Sequence, residues 1–286
     1  MGSDDRQNNA AIQLVDTHRS LKRLPSTFLG HVGIRKRHGI TRRRTPETGE
    51  IFGPGGRFLK AGHFQGLFSE DPDHPAQPQV LQTQLPGNIP AYRAELIPLS
   101  QHLLEEKYSF FHVPLSYEFD VRLDSGSMGD PANQCIAQWH GIPNRVLGAP
   151  QNRHAPFLLG IVEGRYTCVS AATRKLAPKV DASGDTLTGL DRVQHFDLHD
   201  PAEDLDVWVR WRLDVCWSYK GNTGWWNLYR NDILMAEDKG PNCYNELRGA
   251  PYFQFGIYRL GRHLVRPENP LPINKRSYRN VRIRLL

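Results

Sequence analysis

The stretch Asp206-Val207-Trp208-Val209-Arg210-Trp211-Arg212-Leu213-Asp214-Val215-Cys216-Trp217 decides the fold class. Val207, Val209, Trp211, Leu213 and Val215 share one parity; Trp208, Arg210, Arg212 and Asp214 share the other. Side chains alternate across a strand with period two, so the stretch reads as a strand with one apolar and one polar face. A helix would scatter the same residues around its axis. β-Branched and aromatic side chains at the apolar positions suit a pleated, half-buried surface.

The pattern continues on both sides. Trp225 to Arg230 follows, and Asn231-Asp232 marks a tight turn into Ile233 to Ala236. Upstream, Tyr117, Phe119, Val121 and Leu123 alternate with Glu118, Asp120 and Arg122. Phe157 to Val162, the turn Glu163-Gly164 and Arg165 to Val169 predict a hairpin. The chain closes with Val281, Ile283 and Leu285 alternating with Arg282 and Arg284. Many strands with turn signals and few amphipathic helices predict an all-β fold, a β-sandwich of the jelly-roll kind. One sheet of such a sandwich can bend into a concave groove. Gly and Pro from Ile51 to Pro90 argue for loops and short strands. Residues 1–50 are charged and poor in apolar periodicity. They read as a basic N-terminal extension with one short helix from Ala10 to Leu24, leaving residues 51–286 as a single β-domain.

A hydrophobic fraction of 39% in 286 residues supports a sizeable core. The formal net charge of +6, with an isoelectric point near 9.2, suits a polyanionic partner. Part of that excess lies in Arg35-Lys36-Arg37 and Arg42-Arg43-Arg44. No apolar run is long enough to span a membrane, and Met1 to Asn9 contain no signal-peptide core. The four cysteines, Cys135, Cys168, Cys216 and Cys243, show no metal-binding spacing; their even number permits two disulfides, and buried free thiols suit it equally. His195 and His199 would suit zinc on a helix, but Asp200-Pro201 breaks one there, so no zinc site is expected. The acidic stretch Asp197 to Asp206 reads as a solvated loop and is where a structural calcium would sit, although it lacks a recognisable calcium-loop pattern. Neither a Gly-rich phosphate loop nor a Gly-x-Ser-x-Gly elbow is present, and Gly53-Pro54-Gly55-Gly56 reads as a turn. The paired-carboxylate strand of laminarinase-like sandwiches is also missing, which argues against glycoside hydrolysis.

Three separated segments carry the candidate chemistry: Tyr92-Arg93-Ala94-Glu95-Leu96, Gln138-Trp139-His140 and Tyr252-Phe253-Gln254-Phe255-Gly256-Ile257-Tyr258. With Ala94, Trp139, Phe253, Phe255 and Ile257 facing the core, Arg93, Glu95, Gln138, His140, Gln254 and Tyr258 face outward.

These segments, in this order, resemble the jelly-roll polysaccharide lyases: the group of heparin, glucuronan and alginate lyases. Arg93-Ala94-Glu95-Leu96 resembles the group's Arg-x-Glu-Leu strand and Gln138-Trp139-His140 its Gln-x-His strand. The Trp-rich strand, the Gly224-Trp225 hairpin and Tyr252 to Arg259 match its later part, so the resemblance covers roughly residues 55–286. It implies β-elimination on a uronic-acid polysaccharide, leaving a 4,5-unsaturated uronate end. His140 would be the base and Tyr258 the acid, or Tyr258 both, while Arg93 and Gln138 would bind the substrate carboxylate. Glu95, Arg145, Tyr252, Gln254 and Arg259 are the further substrate-binding candidates. Motif flavour favours glucuronate-containing polymers. The resemblance also implies a secreted or periplasmic monomer that needs no cofactor and takes an acidic polysaccharide rather than nucleic acid or a membrane. One departure stands out: the group commonly has Lys where this chain has Gln254, so Arg259 or Arg145 is the candidate replacement cation. Arg153, Arg210 and Arg212 are further candidates to line the groove. The rival readings are a non-catalytic module for acidic polysaccharide, and a nucleic-acid binder using Arg35 to Arg44 and Trp226.

Overall fold

The computed structural model describes residues 14–16, 50–52, 58–62, 65–69, 80–85, 93–98, 110–126, 133–142, 154–176, 190–246, 249–260 and 273–286. In chain order the strands are β1 (Leu14–Asp16), β2 (Glu50–Phe52), β3 (Phe58–Gly62), β4 (Gln65–Ser69), β5 (Val80–Leu85), β6 (Arg93–Pro98), β7 (Pro114–Leu123) and β8 (Gln134–His140). They continue as β9 (Phe157–Val162), β10 (Arg165–Ala172), β11 (Arg192–His199), β12 (Trp208–Cys216), β13 (Trp225–Arg230), β14 (Ile233–Lys239), β15 (Tyr252–Arg259) and β16 (Asn274–Leu285). One sheet runs β1-β3-β6-β15-β8-β9-β10-β11; the other runs β14-β13-β12-β7-β16-β5-β4, with β2 also on β16. All pairings are antiparallel except β1 with β3. Helix among the described residues is limited to short 3₁₀ pieces, Pro201–Asp204 and residues 125–126. This is the expected all-β jelly-roll sandwich.

The strand that decided the fold class behaves as its alternation requires. In β12, Val209, Trp211, Leu213 and Val215 are buried, whereas Val207 precedes the strand and is exposed. The turns follow from residues that tolerate a left-handed backbone. Glu163 and Gly164 have φ of 51° and 78°, and Asn231 and Asp232 have 48° and 64°. Positive φ at both central positions is the type I′ turn of a two-residue hairpin, whose twist matches that of the strands.

Aromatic rings fill the space between the sheets. Tyr117 of β7 meets Trp139 of β8 and Phe253 of β15 at centroid distances of 5.5 and 5.6 Å. Phe157 of β9 meets Trp226 of β13 at 5.0 Å, and Tyr166 of β10 meets Trp211 at 5.2 Å. Each ring buries a large apolar area at little entropic cost, so this layer fixes how the sheets face each other.

Three expectations need correction. Leu14–Asp16 is extended, paired with Phe58–Lys60, and so is not helical; the remainder of the helix expected over Ala10 to Leu24 lies outside the described residues. Asp197, expected in a loop, belongs to β11 together with His195 and His199, because Arg192–His199 pairs along β10. The acidic stretch has protein partners: Asp197 binds Arg165, Asp200 accepts from Ala202 N, Asp204 binds Arg230, and Asp206 accepts from Ser125 N. All four cysteines are free and buried. The Arg35 to Arg44 run and Gly53-Pro54-Gly55-Gly56 lie outside the described residues. Among the described residues, no helix is long and apolar enough to cross a membrane.

The register breaks where the site is built. β15 and β8 slip against each other between Phe255 and Tyr258, and β8 also slips against β9 between Cys135 and Ala137. Backbone groups left over at such a break must still be satisfied. Arg276, on β16 in the facing sheet, donates to the carbonyl of Cys135 at 2.5 Å, to that of Gly256 at 3.0 Å, and to Gln134 Oε1. The Tyr278 hydroxyl lies 3.0 Å from the Ile136 carbonyl and 2.9 Å from the Gly256 carbonyl. Gly256 has φ of 138°, and a Cβ there would sit 2.3 Å from the Ala94 carbonyl oxygen. Gly256→Ala should therefore cost about 2 kcal/mol or more, read as a lower denaturation midpoint; an unchanged midpoint would show that the strands can part freely. Burial raises the pKa of each cysteine thiol. Native protein should accordingly react with an aromatic disulfide reagent far more slowly than unfolded protein, and rapid native reaction would contradict the packing.

Candidate active site

β6, β15 and β8 are neighbours in one sheet, and their register sets the site. Tyr258 lies opposite Arg93 and Gly256 opposite Glu95 on one side; on the other, Tyr252 lies opposite His140 and Gln254 opposite Gln138. Directly opposed side chains on one face of a sheet stand about 5 Å apart. Ala94, Trp139, Phe253, Phe255 and Ile257 are fully buried, as the alternation requires. Residues distant in sequence thus form one polar row.

The row has a floor and a rim. Glu95, Gln138 and Gln254 are buried, whereas Arg93, His140, Tyr252 and Tyr258 are half-buried. Glu95 Oε2 accepts from Arg93 Nε, and Glu95 Oε1 accepts from Gln138 Nε2 at 2.7 Å. A terminal nitrogen of Arg93 donates to Gln254 Oε1 at 3.0 Å. Since that oxygen accepts from Arg93, the orientation of the Gln254 amide is set, and its Nε2 is buried without a hydrogen-bond partner among the described residues. Burial opposes charge on Arg93, but Glu95, by charge and hydrogen bond, together with Tyr252 and Tyr258, overrides it and raises the pKa. The guanidinium stays charged, with 30% of its side chain exposed and its remaining terminal nitrogen uncommitted among the described residues. Its Cζ lies 5.7 Å from the Tyr258 ring centroid.

His140 Nδ1 lies 2.9 Å from the Gly141 carbonyl oxygen. A carbonyl only accepts, so Nδ1 carries the proton and the lone pair of the neutral ring is on Nε2. The His140 and Tyr252 rings lie 5.9 Å apart. The Glu246 carboxylate lies close over Gly141: a Cβ there would come within 2.3 Å of Glu246 Oε2, and that side chain would have to move aside.

The structure redistributes several expected roles. Glu95 is fully buried beneath the row, and its two oxygens accept from Arg93 and Gln138 and hold them in position. Arg259 cannot replace the lysine, because it is fully buried opposite Gln134 rather than on the polar row. The cation beside Tyr258 is Arg93. Arg210 and Arg212 sit on β12 of the other sheet and so do not line this face; Arg145 and Arg153 lie outside the described residues. Trp226 is fully buried and offers no stacking surface. Among the described residues, no group of three or more His, Cys, Asp or Glu is placed to hold a metal ion.

Three contributors were missed. Cys135 is close enough to Glu95 and Arg93 for both to act on its thiol. Glu246 packs on Gly141, and Arg276 braces the strands from behind. None carries a motif; Arg276 sits in a stretch where polar residues occupy both parities.

Residues 76–270 match the family model for polysaccharide lyases. The chain belongs to the polysaccharide lyase family. This lyase has the fold of two solved enzymes of the same kind. The endo-β-1,4-glucuronan lyase of the fungus Trichoderma reesei superposes with a TM-score of 0.56 at 13% identity, over 79% of this chain and 90% of that one. The alginate lyase vAL-1 from a Chlorella virus superposes with a TM-score of 0.52 at 11% identity, over 81% and 93%. No curated protein sequence matches the chain.

Gln254→Lys tests how this lyase uses the position. A lysine cannot accept from Arg93, so the substitution removes that acceptor and sets a second cation beside the guanidinium. The substitution should lower stability by about 1–3 kcal/mol and lower turnover. Unchanged stability with faster turnover would show that a cation is missing here.

Proposed function

We propose that this lyase cleaves a uronate polymer, glucuronate-containing chains first, by β-elimination, and that it acts outside the cytoplasm. The observation that carries the reading is the register that brings Arg93, Gln138, His140 and Tyr258 onto one face of three adjacent strands. The likeness to a glucuronan lyase supports the choice of polymer.

The C5 proton of a uronate is weakly acidic because its removal adds negative charge beside a carboxylate. The outward nitrogen of Arg93 can meet that carboxylate, with hydrogen bonding from Gln138 beside it, so that charge spreads into an enolate-like state. Donors aimed at developing charge are worth about 10²–10³ in rate each. Nε2 of His140 takes the C5 proton. The C–H electron pair becomes the C4–C5 double bond, the C4–O4 bond breaks, and Tyr258 gives its phenolic proton to O4. Exchange with solvent then returns the proton from His140 to Tyr258. Water is not consumed, so each cleavage leaves one unsaturated uronate end.

Heparin, hyaluronan, alginate, pectate and glucuronan, screened by the ultraviolet absorbance of that end, test the proposal. Glucuronan should give the fastest rise. His140→Ala and Tyr258→Phe should each slow it by about 10²–10⁴-fold with little change in the denaturation midpoint. No absorbance from any uronate polymer, or wild-type rates in both variants, would overturn it.

A further inference from the structure

We propose that a second anionic-sugar subsite lies at the end of the sandwich next to His140, resting on the reading of the substrate as a uronate polymer. The register places it. Phe157 lies opposite Trp139 on one side and opposite Ser170 on the other, so the residues after Ser170 emerge at the same end of the sheet as His140. β8 and β10 are separated by β9 alone, roughly 10 Å across the sheet. There a cleft of about 530 Å³ opens between Thr173, Arg174, Lys175 and Asp191 on one wall and Tyr219 and Pro241 on the other. A second cleft, of about 450 Å³, adjoins it, lined by Arg174, Lys220 and His112.

The cleft is built rather than incidental. The Asp191 carboxylate accepts from Arg174 N at 2.6 Å and from Thr173 Oγ1 at 3.3 Å. Asn245 Nδ2 donates to the Arg174 carbonyl at 2.7 Å. The backbone is thereby pinned while the Arg174 side chain stays exposed, with no ion pair among the described residues. Arg192 closes one wall, bound to Asp238 at 2.8 Å and to the carbonyls of Lys239 and Pro241. On the opposite wall, the Tyr219 ring packs edge-on against Phe111 at 5.3 Å, with the Lys220 ammonium 5.4 Å from its centroid. The Tyr219 ring, with the Lys220 ammonium over it and the exposed Arg174 across the cleft, fits a sugar bearing a carboxylate: the ring supplies apolar contact and the cations take the charge. Packed segments link the cleft to the surroundings of His140. Thr173 bridges to Tyr244, and two residues on, Glu246 packs against Gly141 beside His140. One polymer can therefore span both, and the distal cations would hold chain length rather than take part in bond breaking.

The test compares wild type with Arg174→Ala/Lys220→Ala, using the uronate polymer that the wild type cleaves fastest and its shortest cleavable oligosaccharide. KM for the polymer should rise roughly 10-fold, with kcat and the oligosaccharide KM unchanged, and Arg174→Lys/Lys220→Arg should restore most of the loss. Equal KM on the polymer, or equal rises on both substrates, would overturn the subsite. Calorimetric binding of glucuronan in a His140→Ala background reads the same subsite without turnover. There, a weaker affinity in the double variant supports it even if no wild-type cleavage is seen, and an unchanged affinity refutes it. Failure of the wild type to cleave any uronate polymer instead refutes the elimination chemistry.

Discussion

The carbonyl of Gly256, held from across the sandwich by Arg276 and Tyr278, is the contact on which the site depends. A sheet in perfect register would satisfy its own backbone, and its polar row would be a plain ladder. Here β15 and β8 slip at the point where Tyr258 must come opposite Arg93, and the facing sheet supplies the missing partners. Burying an arginine and a tyrosine is costly; the terminal nitrogens of Arg276 and the hydroxyl of Tyr278 offset part of that cost, while Arg276 Nε has no partner among the described residues. Burial raises the pKa of the Tyr278 phenol despite the opposing influence of Arg276, so the hydroxyl remains a donor. Gly256 completes the arrangement, because a side chain there would strike the backbone of β6. The register that aligns the polar row is thus set from behind by side chains on the core side of the sheet.

In front of that brace, charge is nearly balanced. Arg93 and Glu95 form a half-buried pair, with Gln138 and Gln254 completing the hydrogen bonds. A cation held this way is pre-oriented, and its outward nitrogen needs little reorganisation to meet an anion. The amide at Gln254 belongs to this logic: it accepts from Arg93, which an ammonium could not do. Among the described residues, Arg93 is the cation that stands on the polar row.

The sandwich was legible in the sequence because apolar and polar residues alternate cleanly in β7, β12 and the end of β16. The order of the polar row was legible as well, since Ala94, Trp139, Phe253, Phe255 and Ile257 mark the core side of their strands. The first half of β16 was not: Asn274, Arg276 and Tyr278 point inward there, and no hydropathy pattern predicts a buried arginine whose partners are backbone carbonyls. Beyond the bend at Asn280, where φ is 53°, the inward parity changes to Val281 and Ile283 and the pattern becomes readable again. Arg259 misled for the complementary reason. It looks like an outward cation beside Tyr258, but alternation turns it toward Gln134 and the interior. The role of Glu95 was hidden too, because a pair two residues apart on one face looks the same whether it is solvated or buried.

The most direct measurement is the crystal structure of the Tyr258→Phe variant with a glucuronate oligosaccharide bound across β6, β15 and β8. The account predicts one uronate carboxylate within hydrogen-bond distance of the outward Arg93 nitrogen, with C5 facing His140 Nε2 and the bridging O4 at the edge of the phenyl ring that replaces the phenol. An oligosaccharide bound elsewhere, or one whose carboxylate avoids Arg93, would contradict it.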